Sequence, residues 1–283
     1  MDPLVIVMVL TAAVLHAVWN AVVKVDDDRL MAMTVVIGTT GLLAPILLLF
    51  GPNPASESWP YIAASVLLNN AYFLFLIEAY RIGDLSHAYP LARGSAPLMV
   101  AVGAAVFVGE SLGAGELAGI ALISGAIISL VFIAGDGRKA GWRPIVYPLL
   151  TGLMIATYTV VDGIGVRLSG SPAGFIGWLF ILSPLPIAVI AVVRRGYKVI
   201  DFLRLRWKPS ILAGCLNLGS YGLAIWALSL GAMAHVSALR ETSVIIAALI
   251  GTFVLGEAFG PKRIFSAIVV VIGVVVINLA APQ

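Results

Sequence analysis

Residues 93–111 read RGSAPLMVAVGAAVFVGES, and residues 240–258 read RETSVIIAALIGTFVLGEA. Aligned without a gap, the two stretches share their opening arginine and a Gly-Glu pair near the other end. Apolar helices match one another easily by chance, so the argument rests on charged residues, which are rare in such segments. The match predicts an internal repeat, and this repeat decides the architecture of the whole chain.

The composition of the chain predicts that the repeat lies in a lipid bilayer. Of the 283 residues, 61% are hydrophobic and only 11% are charged, a balance that soluble globular domains do not have. A bilayer core about 30 Å thick requires about 20 apolar residues per helix. Ten segments meet that requirement, at residues 3–24, 29–50, 59–80, 85–108, 116–134, 144–168, 172–193, 209–230, 233–255 and 262–280. The sequence therefore predicts an all-α integral membrane protein with ten transmembrane helices.

The repeat divides the chain into two halves of five helices, residues 1–143 and residues 144–283. Because each half has an odd number of helices, the second half inserts upside down relative to the first. Inverted repeats of this kind recur in secondary transporters, whose substrate site lies at the repeat interface near the middle of the bilayer. The first segment, residues 3–24, follows Asp2 rather than a basic stretch, which favours a retained helix over a signal peptide.

The distribution of basic residues predicts the orientation in the membrane. Of the 17 Lys and Arg residues, fourteen lie in the odd-numbered connections between the predicted helices, and Arg167 alone lies in an even-numbered one. Short loops rich in Lys and Arg stay in the cytoplasm. We therefore expect both termini on the outer side of a bacterial inner membrane, with residues 194–208 as the main cytoplasmic loop.

Polar side chains concentrate on the first, third and fourth predicted helices of each half. In the first helix, His16, Trp19 and Asn20 follow a spacing that places them on one face. Polar residues within a span normally face other helices or a water-filled cavity. The predicted lining of a central cavity consists of His16, Trp19, Asn20, Tyr72, Tyr89, Tyr158, Asp162, Asn217 and Tyr221. The same residues could instead form hydrogen-bonded seams between helices without any ligand.

The candidates for a gate or for buried ion pairs are Glu78, Arg93, Arg240 and Glu241. Each arginine has two interpretations. It could pair with Glu78 or Glu241 as a fixed structural lock, or it could contact a carboxylate of the substrate. Glu110 and its repeat counterpart Glu257 follow glycine at the ends of spans, where capping of the next helix is the favoured role.

Motifs of catalysis and metal binding are missing from the sequence. It has no Walker loop, GxSxG elbow or HExxH pair, so we expect neither an enzyme nor an ATP-driven pump. A single cysteine, Cys215, excludes an intrachain disulfide, and three widely separated histidines make a poor zinc site. The basic residues flank the spans, so the net charge of +3 does not indicate nucleic-acid binding. We expect a monomer without a cofactor, whose partners are the lipid bilayer and a small-molecule substrate.

These features together resemble the EamA family of the drug/metabolite transporter superfamily. The resemblance rests on the ten spans, the repeated arginine and Gly-Glu positions, HAVWNA at residues 16–21 and GDLSHAYPLARG at residues 83–94. It implies a basket of ten helices around a central cavity lined by the same six helices, with alternating access that needs no ATP. Within the superfamily, we expect the chain to resemble bacterial amino-acid exporters of the YddG type, with other EamA branches as alternatives. Many members are drawn with both termini in the cytoplasm, opposite to the orientation that the Lys and Arg count predicts.

The sequence therefore leads us to expect an inner-membrane exporter of amino acids, including aromatic ones, or of similar small zwitterionic metabolites. Aromatic and amide groups would hold the side chain of the substrate, and charged residues its ammonium and carboxylate groups. The alternative within transport is efflux of drugs or other small metabolites through the same cavity. A lipid-modifying enzyme or an assembly protein is disfavoured, because convergent acid and base residues at the level of the lipid headgroups are missing.

Overall fold

The computed structural model describes residues 2–24, 28–82, 85–133, 142–196, 198–253 and 261–280. These residues form helices and connections and contain no strand, which confirms the predicted all-α class. The α-helices of the described chain are α1 (Pro3–Lys24), α2 (Arg29–Leu43), α3 (Trp59–Ile82), α4 (Leu85–Val108), α5 (Ala114–Ile133), α6 (Arg143–Leu168), α7 (Pro172–Leu182), α8 (Pro184–Arg195), α9 (Lys198–Leu230), α10 (Met233–Arg240), α11 (Thr242–Phe253) and α12 (Pro261–Ala280). Two short 3₁₀ helices, Ala44–Leu49 and Ser56–Ser58, lie between α2 and α3.

Seven segments of the described chain are long and apolar enough to cross a membrane. They are Pro3–Val22, Leu30–Leu49, Ser56–Ala79, Ala88–Val108, Arg143–Leu168, Pro172–Arg195 and Lys208–Leu230. Two shorter apolar segments, Ala114–Ser129 and Ile264–Ala280, belong to α5 and α12. The predicted count of ten spans is therefore not fully confirmed, because the fifth and tenth are short and the predicted ninth is divided between two helices.

Two predicted spans are interrupted, for different reasons. The seventh is divided into α7 and α8 at Ser183, where Pro184 begins the second helix. Proline lacks a backbone N–H and is tolerated at the first position of a helix, so the sequence accounts for this interruption. The ninth is divided into α10 and α11 at Glu241, whose N–H donates to the carbonyl of Ala238 and whose carbonyl accepts from Val244. These three-residue steps make a locally tightened turn, which is typical of a hinge.

Glycines allow α4 to pack closely against α5 and α6. A Cβ atom added at Gly94 would lie 2.7 Å from a side-chain carbon of Ile128 in α5. A Cβ atom at Gly152 in α6 would lie 2.3 Å from the hydroxyl oxygen of Ser95. Small residues at such crossings let membrane helices approach one another. This packing encloses the turn of α4 that carries Arg93, whose exposed fraction is 3%.

The largest apolar cluster closes one end of the helical bundle. At that end α1, α3 and α10 begin, and α4, α6 and α9 finish. Buried side chains from all six helices meet there, among them Val5, Ile62, Val100, Val160, Leu228 and Met233. The connections above them are also joined, since the N–H of Ala55 donates to the carbonyl of Ser169 at 3.0 Å. We call this region, defined by the six named side chains, the sealed end.

Candidate functional site

All nine residues predicted to line the cavity lie on helices of the described chain, namely α1, α3, α4, α6 and α9. Six of them are partly accessible: His16, Asn20, Tyr72, Tyr89, Asn217 and Tyr221. The other three, Trp19, Tyr158 and Asp162, are buried, with exposed fractions of 5%, 4% and 0%. Six of the nine predicted residues are therefore partly accessible, and three are buried.

Trp19 packs away from the other aromatic residues of the site. Its indole ring belongs to an apolar cluster with Leu30, Val36 and Ile187, contributed by α2 and α8. Its edge contact with His16, at 5.2 Å between ring centroids, joins that cluster to the accessible lining. The helical spacing in α1 correctly placed the two residues on neighbouring positions, but the indole ring lies between helices.

Three tyrosines form a continuous aromatic wall. Tyr158 lies between Tyr72 and Tyr221, with ring centroids 5.9 Å from each and interplanar angles of 76° and 80°. Edge-to-face contacts of this kind are a favoured arrangement of aromatic rings and bury large apolar areas. The wall joins α3, α6 and α9, so side chains from both halves of the chain contribute to one surface.

A two-point ion pair joins the halves behind this wall. The Nε atom of Arg93 donates to Oε2 of Glu241 at 3.1 Å, and its Nη2 atom lies 3.0 Å from Oε1. Nη2 also donates to the hydroxyl of Ser243 at 3.3 Å. Both side chains are almost fully buried, with exposed fractions of 4% and 2%. Of the alternatives that the sequence left open for Arg93, the structure shows the pairing with Glu241.

Glu78 does not reach Arg93. Its carboxylate is paired with Arg81, one turn further along α3, and that arginine side chain is 72% exposed. The structure therefore corrects the proposed pairing of Glu78 with either buried arginine. The reason is the position of Glu78 near the end of its helix, where a partner at the favourable i, i+3 spacing is available.

Arg240 is buried without a carboxylate partner. Its exposed fraction is 7%, and no described Asp or Glu lies within 4.0 Å of its guanidinium nitrogens. The carbon at the centre of the guanidinium group lies 5.8 Å from the centroid of the Tyr221 ring, over the ring face. His16, Tyr72 and Tyr89 also lie within the electrostatic reach of this side chain and of Arg93. Of the two buried guanidinium groups, Arg93 forms an ion pair within 4.0 Å, whereas Asp162 and Glu241 act on Arg240 only from a longer distance.

The carboxylate of Asp162 accepts a hydrogen bond from Tyr221 and also interacts with the hydroxyl of Ser65. The hydroxyl of Tyr221 donates to the Oδ2 atom of Asp162 at 2.5 Å, and the same hydroxyl accepts from the amide of Asn69 at 3.0 Å. The amide of Asn69 also donates to the hydroxyl of Ser65 at 3.1 Å. The second carboxylate oxygen, Oδ1, is buried and has no hydrogen bond with the described residues. Asn69, which the predicted lining omitted, precedes Tyr72 by three residues, so helical spacing could have identified it.

A second ion pair closes the sealed end. Arg167 at the end of α6 donates to Oε1 of Glu110 at 2.9 Å and to the carbonyl of Gly231 at 2.7 Å. Glu110 in turn accepts from the backbone N–H of Met233 at 2.9 Å, which is the first residue of α10. Glu110 therefore caps a helix of the other half, whereas the sequence predicted that it caps the next helix, α5. Glu257 lies outside the described residues.

Glu116 has the capping role in α5 that was predicted for Glu110. It lies in the first turn of that helix, and its Oε2 atom accepts from the N–H of Gly113 at 2.6 Å. Its Oε1 atom lies 2.8 Å from Nε2 of His235, and both side chains are buried. The described residues contain no group of three His, Cys, Asp or Glu side chains able to hold a metal ion. The side chain of His87 lies outside the described part of the chain.

Comparisons with known proteins agree with this architecture. A model of the EamA-like transporter family matches the chain twice, over residues 3–132 and residues 142–279. A crystal structure of another protein aligns with a TM-score of 0.76 over 98% of this chain and 96% of the other, at 14% sequence identity. At that identity the likeness shows the fold alone. A comparison with curated proteins gives no match.

Proposed function

Because this chain belongs to the EamA-like transporter family, a family of multi-pass membrane transporters, we propose that it exports amino acids or similar small zwitterionic metabolites. The proposed setting is a bacterial inner membrane, with both termini outside as the Lys and Arg distribution indicates. We propose that the protein works as a monomer by alternating access, with residues 1–143 and residues 144–283 as its two inverted halves. We also propose that the chain is an exporter of the YddG type.

One observation carries this proposal. Partly accessible polar and aromatic side chains from α1, α3, α4 and α9 surround two buried guanidinium groups and two buried carboxylates, within a molecule that is otherwise apolar. Buried charges are costly in a membrane protein and mark substrate or ion pathways. Sites for small molecules combine apolar and aromatic walls with a few oriented polar groups. An amino acid requires this combination.

The sealed end supports a mechanism of alternating access. It closes one side of the bundle by an apolar cluster and an ion pair between Glu110 and Arg167, and both contain residues from the two halves. Rocking of one half against the other changes contacts of this kind while the central site stays fixed. We propose that the tightened turn at Glu241 serves as a hinge in this motion.

The direct test is transport by the purified protein in liposomes. We expect uptake or counterflow of labelled amino acids, with aromatic ones included because of the wall formed by Tyr72, Tyr158 and Tyr221. The wall also suits apolar cations, so the assay includes a cationic drug and a nucleotide sugar. Flux of either one without flux of any amino acid contradicts the proposed substrate class and favours efflux of drugs or other metabolites.

A pair of asparagine variants controls for damage to the fold. Asn217 is partly accessible at the site, and its amide lies 3.4 Å from the hydroxyl of Thr40. Asn278 is a partly buried asparagine in α12, remote from the site in the fold, whose amide donates to the carbonyl of Val274. Asn217→Ala should lower amino-acid flux several-fold, whereas Asn278→Ala should leave it unchanged. Equal losses in both variants would argue against a binding role for Asn217.

A further inference from the structure

Not all of the buried charged side chains in the middle of the molecule form ion pairs with one another. Four charged side chains are buried there, namely Arg93, Arg240, Asp162 and Glu241. Arg93 and Glu241 satisfy each other with two hydrogen-bonding contacts, at 3.1 and 3.0 Å. A bidentate pair of this kind uses both carboxylate oxygens, so Glu241 has little capacity left for a second cation. One guanidinium group and one carboxylate remain.

Arg240 is the remaining cation, and its surroundings suit an anion that binds reversibly. A buried guanidinium without a counter-ion is unfavourable, and the contact with the Tyr221 ring offsets only a part of this. No described Asp or Glu forms an ion pair with Arg240 within 4.0 Å, and Asp162 and Glu241 act on it only from a longer distance.

Asp162 is the remaining anion. One of its carboxylate oxygens accepts a hydrogen bond, and the other has no partner among the described residues. Tyr221 donates to Oδ2, while Oδ1 is buried. The hydroxyl of Tyr221 is fixed from the other side by Asn69 at 3.0 Å. A buried acceptor without a donor is unfavourable, so this oxygen is suited to a donor that arrives from outside the chain.

Tyr221 keeps the two remaining charges apart. Its ring face contacts Arg240 and its hydroxyl contacts Asp162, and the two charged groups do not form an ion pair within 4.0 Å in the described structure. Two opposite charges separated by one aromatic side chain are complementary to a molecule that carries an anion and a cation a short distance apart. In an α-amino acid, the ammonium and carboxylate groups are attached to the same carbon atom.

We propose that Arg240 binds the carboxylate of the substrate and Asp162 binds its ammonium group, so that the substrate lies across Tyr221. This inference rests on the proposed function and deepens it by assigning the two ends of the zwitterion to single residues. Arg93, although it matches Arg240 in the repeat, does not contact substrate. The aromatic wall of Tyr72 and Tyr158 then faces the substrate side chain.

The test compares an amino acid with two derivatives that lack one charge each. Phenylalanine, phenethylamine and 3-phenylpropionate share one ring, and kcat/KM for each is measured with the full-length protein in liposomes. For Arg240→Gln, the ratio of phenylalanine to phenethylamine should fall about 10–100-fold, because a charge-assisted contact is lost only with the carboxylate. For Asp162→Asn, the ratio of phenylalanine to 3-phenylpropionate should fall by a similar factor. A ratio is independent of the fraction of folded protein.

Two further variants keep the inference open to refutation. Arg240→Lys retains the charge without the planar fork and should show a smaller fall than Arg240→Gln. Arg81→Gln removes an exposed arginine and should leave both ratios unchanged. Wild-type flux with unchanged ratios in Arg240→Gln and Asp162→Asn would refute the assignment and leave the proposed function intact. No wild-type flux of any of the three probes would refute the proposed function and the assignment with it.

Discussion

Arg93 and Arg240 begin the two matching stretches of the repeat, yet their surroundings differ. Arg93 is followed by Gly94, where α5 approaches so closely that a side chain would not fit, and Arg240 is followed by Glu241. The repeat thus contributes two cations but one neighbouring anion, and that anion pairs with the arginine of the other half. Arg93 therefore has a carboxylate partner within hydrogen-bonding distance, whereas Arg240 has none among the described residues.

The largest effect is expected where the structural arginine is removed. Arg93→Gln leaves Glu241 buried without its cation, and breaking a buried pair from one side destabilises by about 3–5 kcal/mol. Thermal or denaturant unfolding of the purified protein in detergent measures this change. The double variant Arg93→Gln with Glu241→Gln removes both charges and should recover a large part of the loss. A stability equal to wild type in the single variant would contradict the structural role.

The next effect concerns the carboxylate that remains. Tyr221→Phe removes the hydrogen bond that the tyrosine hydroxyl donates to Asp162, and an unsatisfied buried group costs about 1–3 kcal/mol. The same unfolding assay applies. Tyr158→Phe is the matched control, because its hydroxyl has no hydrogen bond among the described residues, and it should be less destabilising. If the two variants lose equal stability, the anchoring of Asp162 by Tyr221 is of no consequence.

A smaller effect is expected at the sealed end, where the other pairing between the halves lies. Glu110→Gln weakens the contact with Arg167 and the cap on α10, and a cap of this kind contributes about 1 kcal/mol. The side chains are partly exposed, at 14% and 30%, so solvent screens the charge contribution. Glu57→Gln, in the exposed 3₁₀ helix before α3, should leave the free energy of unfolding unchanged. If Glu110→Gln also leaves the free energy of unfolding unchanged, the stabilising ion pair between the halves is that of Arg93 with Glu241.

The smallest effect on stability is expected at the second arginine. Arg240→Gln removes a cation–π contact and at the same time relieves a buried charge that forms no ion pair with a described carboxylate, so the net change should stay within about 1 kcal/mol. Unfolding is measured without substrate, beside Arg93→Gln. A loss as large as that of Arg93→Gln would mean that both arginines are structural, and the contrast between them would disappear.

The sequence predicted the helical architecture and the location of two arginines inside it, because the physical signals are strong. Long apolar segments require helices in a bilayer, and a charge inside such a segment requires a partner or a cavity. It left the pairing open, since Arg93 and Glu241 are 148 residues apart in the chain. The short i, i+3 pairing of Glu78 with Arg81 could have been predicted from spacing alone, and it removes Glu78 from the site.

Other features depend on contacts between distant segments. The turn at Glu241 contains no proline from which it could have been predicted, whereas Pro184 marks the other interruption in the sequence. Glu110 caps α10 because the connections of the two halves meet at the sealed end, and no local pattern indicates which helix start lies nearest. Trp19 lies only approximately on the same helical face as Asn20. The position of α2 determines that Trp19 packs against Val36.

The pairing of Arg93 with a residue so far along the chain also bears on biogenesis. At a synthesis rate of about 5–20 residues per second, the 148 residues that separate Arg93 from Glu241 take roughly 7–30 seconds to be made. During that interval α4 carries an uncompensated arginine, at an insertion penalty of about 2.5–3.5 kcal/mol. The first half reaches its final stability in the membrane only when the ribosome has delivered the carboxylate of the second.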